Sequence, residues 1–246
     1  MSQPLAYFFD SLYLIKPETS IIGFLVLILL YDLIFKKEKW LPYISLFGLV
    51  VTLFLIIEQY GYNKFAFQSS TNFGMMAIDP FGAFFKIIIL LSSIIVILFS
   101  ILSKELDVAR DRMGEYYTLI FGMILGMFLM VSASDLILIY IAVELVSLSS
   151  FVLAGFLKND SRSSEASLKY IIFGGVSSGI MLFGISILYG ITGTTNLYEM
   201  NSLLQNFDST NILMILTMIL IFAGIGYKIS RSEERRVGKE CIYRWW

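Results

Sequence analysis

The sequence predicts an all-α membrane protein, a polytopic bundle of about seven transmembrane helices. Three observations predict it. The 246 residues are 57% hydrophobic and 15% charged, with a mean hydropathy of +0.79. Soluble domains are about half apolar and a quarter charged. Apolar runs close to the roughly 20 residues that cross a bilayer recur along the chain. Basic residues gather in every second connection between those runs, as the positive-inside rule requires of a multi-pass protein.

The first predicted span, 19–35, follows Lys16-Pro17-Glu18 and stops at Lys36-Lys37-Glu38-Lys39. The second covers 41–60, and the polar run from Tyr62 to Gly74 separates it from the third, 79–102. Lys104 to Arg112 breaks the pattern before the fourth, 115–133, and the fifth covers 135–157. Lys158 to Ser163 makes the next turn, with Ser163 as the expected N-cap of the sixth span, 164–191, and Glu165 in its first turn. That span is long enough to tilt or to extend past the hydrocarbon. The seventh covers 211–229. Gly122 and Gly126 in span four, and Gly175 and Gly179 in span six, have the four-residue spacing that lets helices approach closely in lipid. No secretory signal precedes the first span.

Connections one, three and five carry Lys36, Lys37 and Lys39; Lys104, Arg110 and Arg112; and Lys158 and Arg162. Of the alternate connections only the second carries a basic residue, Lys64. The predicted N-terminus therefore faces outside and the basic loops face the cytoplasm. Net charge is −1, which gives no field for nucleic acid. With no histidine and a single cysteine, Cys241, the chain has neither a disulfide framework nor the residues for a His/Cys metal or His-ligated haem site.

Three ionisable residues inside the spans are candidate functional groups. Glu144 lies near the middle of span five, Lys169 early in span six, and Lys228 late in span seven after Gly224-Ile225-Gly226. A mid-span carboxylate costs about 3 kcal/mol on the lenient insertion scale, so such residues face a bundle interior or a watery path. The structural alternative for Glu144 is a protonated carboxyl bonded to Ser147 or Ser149; for each lysine it is snorkelling to the nearby interface. In an antiparallel hairpin, Glu144 lies roughly 24 Å and Lys169 roughly 9 Å from the turn, too far for a tight pair but close enough to sense each other in a low dielectric.

The last 16 residues change character. RSEERRVGKECIYRWW holds five basic and three acidic residues, Cys241, and two of the three tryptophans. A basic cytoplasmic tail would also satisfy the positive-inside rule. Residues Arg231 to Cys241, however, resemble the translation of a sequencing adapter, with Arg244 and Trp245 also in register. The tail 231–246 is expected to be non-native, and residues 1–230 to be the N-terminal part of a longer membrane domain.

The segments ASDLILIYIAVELVSLSSFVLAGF and SRSSEASLKYIIFGG, with GMMAIDPFGAFFKIIIL and GEYYTLIFGMILGMFLMVSAS upstream, resemble the antiporter-like membrane subunits of respiratory complex I. They are most similar to the subunit N, or NADH dehydrogenase subunit 2, type, over about residues 20 to 230. The resemblance implies the first half of an inverted-repeat fold and a proton-translocating role in NADH:quinone oxidoreductase. It implies that Glu144, Lys169 and Lys228 form a proton relay, with Lys228 on an interrupted helix. It implies partner membrane-arm subunits in a lipid bilayer and no cofactor on this subunit, the complex itself using NADH, FMN, iron–sulfur clusters and quinone. The bacterial plasma membrane is the expected location, the mitochondrial inner membrane the alternative. A multi-subunit cation/proton antiporter or membrane-bound hydrogenase subunit shares the Glu and Lys motifs. The family's Pro-Phe-His segment after the helix-seven lysine is not in this sequence, where the adapter-like text begins.

Overall fold

The computed structural model describes residues 3–35, 38–68, 73–103, 106–157, 160–205 and 212–229. Residues 231–246, the expected foreign tail, lie outside the described residues. Among the described residues, six helices are long and apolar enough to cross a membrane: α2 (Lys16–Phe35), α3 (Leu41–Gln59), α4 (Pro80–Leu102), α5 (Met113–Ser132), α6 (Leu136–Ala154) and α7 (Ser161–Thr192). The seventh predicted span is α9 (Ile212–Lys228), an apolar helix of 17 residues.

Besides two short 3-10 turns, Glu38–Trp40 and Leu106–Arg112, the described residues form further elements outside the predicted spans. Helix α1 (Gln3–Leu14) precedes the first span, and α8 (Leu197–Leu204) follows α7. Part of the stretch read as a polar break forms an antiparallel hairpin, β1 (Lys64–Gln68) with β2 (Gly74–Ile78), in the register Lys64 to Ile78 and Ala66 to Met76. Bridges from Met76 to Ala133 and from Asp135 to Asn196 tie this hairpin to the α5–α6 and α7–α8 connections. The hairpin, α8 and the Asp135 turn thus mark one end of the bundle; Arg110, Arg112 and Arg162 mark the other.

The core lies among α2, α3, α4 and α5. Ile21, Ile28, Leu49, Leu90, Tyr117 and Phe121 are buried there. A second unit is formed by α6, α7 and α9, with α6 packed on α5 and α9 on α7. Large apolar side chains such as Phe54, Phe99 and Phe222 are exposed on the outside, the arrangement of a bundle whose surface meets lipid rather than water.

Helix ends follow local chemistry. The Asp79 side chain accepts from the Gly82 amide, and Pro80 occupies the first position of α4, where its missing N–H costs nothing. Asp135 caps α6 through the Ile137 and Leu138 amides. The cap of α7 is Asp160, which accepts from the Arg162 amide; Ser163 instead donates to the Ala154 carbonyl. The helix begins three residues before the expected start, so Glu165 falls beyond its first turn.

Only part of the predicted glycine packing is present. A Cβ on Gly126 would lie 2.9 Å from the Ala142 carbonyl oxygen, and one on Gly122 3.1 Å from Ser149 Oγ, so α5 and α6 approach through these glycines. Nothing lies within 4 Å of a Cβ on Gly175 or Gly179. The close contacts of α7 are made at Gly174, against the Phe151 ring, and at Gly184, against Leu220 and Ile221.

Candidate functional site

Helix α6 carries Glu144 eight residues after Leu136, roughly 12 Å along the helix from the end of the bundle that holds the hairpin. Helix α7 runs back beside it, and α9 packs antiparallel on α7. The approach of α9 depends on Gly224, whose Cβ position would lie 2.5 Å from Met181 Cβ and 3.0 Å from the Ser177 carbonyl oxygen. Ser177 Oγ donates to the Gly224 carbonyl at 2.8 Å, which fixes the register of the two helices. The helix continues unbroken through Gly224-Ile225-Gly226 to Lys228, so the interruption expected before that lysine is absent from this segment.

This register places Lys228 against Glu144. Lys228 Nζ donates to Glu144 Oε2 at 2.9 Å and to Ser147 Oγ at 2.8 Å. Ser178 Oγ on α7 donates to the same Glu144 oxygen at 2.7 Å. The side chains are 12% exposed at Lys228 and 23% at Glu144, so solvent screening of the pair is weak. Neither alternative expected from sequence describes them. Glu144 bonds neither Ser147 nor Ser149 among its described contacts, and Lys228 turns into the bundle instead of snorkelling outward.

Lys169 is placed differently. Its Nζ pairs with Glu165 one turn earlier on α7, at 2.5 Å, and both side chains are mostly exposed. The described site therefore joins Glu144 to Lys228 and leaves Lys169 on an outer face, nearer the arginine-marked end. Beside Lys228 lies a cavity of about 500 Å³ bordered by Val146, Ser147, Ser150, Phe151 and Tyr170, room for several waters.

A second buried ion pair was not among the sequence candidates. Lys86 Nζ on α4 lies 2.5 Å from Glu18 Oε1 on α2, with both side chains almost fully buried. Ser132, the last residue of α5, donates to the same Glu18 oxygen at 3.3 Å. The signal was present: Lys86 lies six residues into an otherwise apolar span, where the rule applied to Glu144 applies equally.

The same segments are matched in known proteins. The family described as NADH:quinone oxidoreductase/Mrp antiporter, transmembrane, matches residues 133–232, which include Glu144, Lys169 and Lys228. NADH-quinone oxidoreductase subunit N 2 of Chloroherpeton thalassium is 41% identical over 215 residues, covering 86% of this chain and 41% of that protein. The chloroplastic NAD(P)H-quinone oxidoreductase subunit 2 of Chlorokybus atmophyticus is 36% identical over 233 residues, covering 91% of this chain and 44% of that protein. Among solved structures, a chain of respiratory complex I from Thermus thermophilus superposes with a TM-score of 0.67 at 24% identity, over 86% of this chain and 43% of that one. A chain of an archaeal membrane-bound sulfane sulfur reductase does so with a TM-score of 0.70 at 21% identity, over 85% and 44%. These two likenesses establish the fold, a helical antiporter-like architecture. The chain spans about two fifths of the length of the curated relatives it matches. It belongs to the subunit N family of NADH-quinone oxidoreductases, the antiporter-like membrane subunits of complex I.

Proposed function

We propose that this segment forms the first half of a proton-translocating membrane-arm subunit of an NADH:quinone oxidoreductase, in which Glu144 and Lys228 exchange protons across the bundle interior. The observation that carries the reading is their 2.9 Å ion pair, held by Ser147 and Ser178 in the middle of the apolar layer. A carboxylate and an ammonium in contact neutralise each other. Drawing them apart leaves two isolated charges in a low dielectric, at a cost of several kcal/mol per ion. Proton transfer relieves it: Lys228 gives up a proton, Glu144 takes one up, and restoring the contact reverses both steps. Lys169, on the outer face of α7, serves as an access group that delivers or removes a proton near the arginine-marked end.

The segment holds no redox group in this reading. Moving one charge against 100 mV costs about 2.3 kcal/mol, so the drive comes from redox chemistry in partner subunits carrying the NADH, FMN, iron–sulfur and quinone sites. The positive-inside pattern supports an orientation with the hairpin end outside, and similarity to bacterial subunits supports a bacterial plasma membrane as the location. A cation/proton antiporter subunit is the second reading, because the matched family is described as including Mrp antiporters. The test is Glu144→Gln in the complete subunit, assembled in its complex in vesicles. Proton translocation is expected to fall by roughly tenfold or more with assembly intact. Normal translocation would end the relay role of Glu144.

The reading applies to residues 1–230. Residues 231–246 are assigned to translated adapter on the strength of Arg231 to Cys241. Sequencing genomic DNA across the Ser230/Arg231 junction is expected to show different codons after Ser230; native DNA encoding the same tail overturns the assignment.

A further inference from the structure

The pair formed by Glu18 and Lys86 is as buried as any charged group among the described residues, yet it is incompletely satisfied. Glu18 Oε1 accepts from Lys86 at 2.5 Å and from Ser132 at 3.3 Å. Glu18 Oε2 is buried with no hydrogen-bond partner. The Lys86 ammonium has three N–H groups, one directed at Glu18, and stands 5.8 Å from the centre of the Phe128 ring. A buried carboxylate oxygen without a donor is costly, and such orphans in folded proteins point to a bound water or a proton-handling role.

The surroundings supply an approach. Glu18 is two residues into α2 and Lys86 six residues into α4, so both lie within about 9 Å of the hairpin end of their helices. Ser132 closes α5 at the same end. On that side a small cavity, of about 10 Å³, is bordered by Pro17, Gln59, Asp79 and Lys86, close to the space one water needs. Among the described residues, this end also carries Lys64 of β1, Asp135 before α6 and Glu199 of α8. Lys16 of α2 pairs with Glu58 of α3 at 3.3 Å, partly exposed, and the Asp79 carboxylate caps α4. Gln59 of α3 is spent on the Tyr13 and Leu14 carbonyls of α1. From α5 only the Ser132 hydroxyl reaches Glu18 among the described residues.

We infer that Glu18, Lys86 and Ser132 form a second proton-exchange centre, at the hairpin end of the bundle and separate from the Glu144 and Lys228 pair. The receiving atom is Glu18 Oε2. A proton that enters from the hairpin side as hydronium passes to Oε2 and leaves neutral water; the carboxylate becomes a neutral acid, and Lys86 remains an ammonium. The reverse step returns the proton to water at that end. No bond other than the two O–H bonds is made or broken, and no oxidant or reductant is needed. Lys86 holds the carboxylate in place, and Ser132 lends Oε1 a second donor. One centre lies in the middle of the apolar layer and the other near its edge, an arrangement suited to loading and release at different depths.

The role in pumping rests on the translocation reading above; the exchange of the proton itself does not. The experiment uses the complete subunit in its complex, reconstituted in vesicles, as wild type, Glu18→Gln, Glu144→Gln and the neutral double variant Glu18→Gln/Lys86→Gln. Infrared difference spectra are recorded while pH is lowered on the hairpin side only. A carboxylic-acid C=O band is expected to grow in wild type and in Glu144→Gln, and to be missing from Glu18→Gln. A wild-type spectrum with no such band, or one unchanged in Glu18→Gln, overturns the centre. Proton translocation per quinone reduced is expected to fall severalfold in Glu18→Gln and to stay low in the double variant. The double variant keeps packing and removes the buried charges, so recovery of wild-type translocation in it assigns the pair a structural role and overturns the inference. If Glu144→Gln pumps normally while the Glu18 band persists, the relay reading fails and this centre stands.

Discussion

The Lys228 ammonium lies 2.9 Å from the Glu144 carboxylate although 84 positions separate them in sequence. The contact exists because α9 packs against α7 through Gly224 and α7 carries Ser178 to the same carboxylate oxygen. Three helices thus converge on one oxygen atom. The consequence is an order of importance among the three sequence candidates that their individual positions do not suggest.

Lys228→Met removes the partner of a largely buried carboxylate, so its stability cost is expected to reach about 3 kcal/mol, the low end for breaking a buried pair. Lys169→Met removes an exposed contact with Glu165, 62% and 65% exposed, and is expected to cost less. Thermal unfolding in detergent, read by circular dichroism, checks the contrast. Equal destabilisation by the two substitutions would contradict the burial difference.

Gly224→Val tests whether the register of α9 holds the site. Its Cβ would meet Met181 and the Ser177 carbonyl, and neither can withdraw without moving the α7 backbone. Overpacking of this kind costs about 1–3 kcal/mol. Gly226→Ala, with nothing within 4 Å of its Cβ, is expected to be neutral or slightly stabilising. Thermal unfolding of the two variants in detergent checks the contrast, with a lowered midpoint expected for Gly224→Val and an unchanged or slightly raised one for Gly226→Ala.

Much of the helical framework was legible because lipid imposes a crude and strict requirement on each span: about 20 apolar residues bounded by polar ones. The predicted edges of α2 and α3 therefore fall within three residues of the observed ones. Elements outside the apolar layer carry no such signature. The strands Lys64–Gln68 and Gly74–Ile78 are five residues each, and α8 only eight, short enough to read as connections. Ser163 was a plausible cap by residue type, yet Asp160 three positions earlier reached the free amides first. The candidate groups were legible singly, because a charge in an apolar run is conspicuous. Their pairing was not. Which helix lies beside which is decided by glycine contacts such as Gly224 on Met181, and local sequence does not say which glycine will be used: Gly175 and Gly179 had the better spacing and meet nothing.

Breaking the other pair gives a sharper stability signal. Lys86→Met leaves Glu18 charged, 2% exposed and without its cation, and is expected to cost about 3–5 kcal/mol. Glu18→Gln/Lys86→Gln removes both charges and is expected to recover more than half of that. Chemical unfolding of the three proteins in mixed micelles checks it. A double variant as unstable as Lys86→Met would place the cost in packing around the lysine stem rather than in the stranded carboxylate.

Asp135 joins three elements at the hairpin end, and its substitution separates two kinds of contribution. Oδ1 accepts from the Ile137 and Leu138 amides at 2.9 and 3.4 Å, capping α6; Oδ2 accepts from Thr195 Oγ1 at 2.5 Å, tying α6 to the connection before α8. Asp135→Ala loses both. The cap alone is worth about 0.5–2 kcal/mol. Thr195→Ala loses only the second contact, and a hydrogen bond to a charged group contributes about 1.5–3 kcal/mol where it is buried. Asp135→Asn keeps an acceptor for the α6 amides. Its stability is therefore expected to lie between wild type and Asp135→Ala, and close to that of Thr195→Ala. Midpoints of thermal unfolding in detergent order the four proteins. If Asp135→Ala matches Thr195→Ala, the α6 cap contributes nothing measurable and the turn is held by the Thr195 contact alone. Since α6 carries Glu144 nine residues after this cap, the same series read by infrared spectroscopy in the complete subunit also shows whether loosening the hairpin end disturbs the carboxylate.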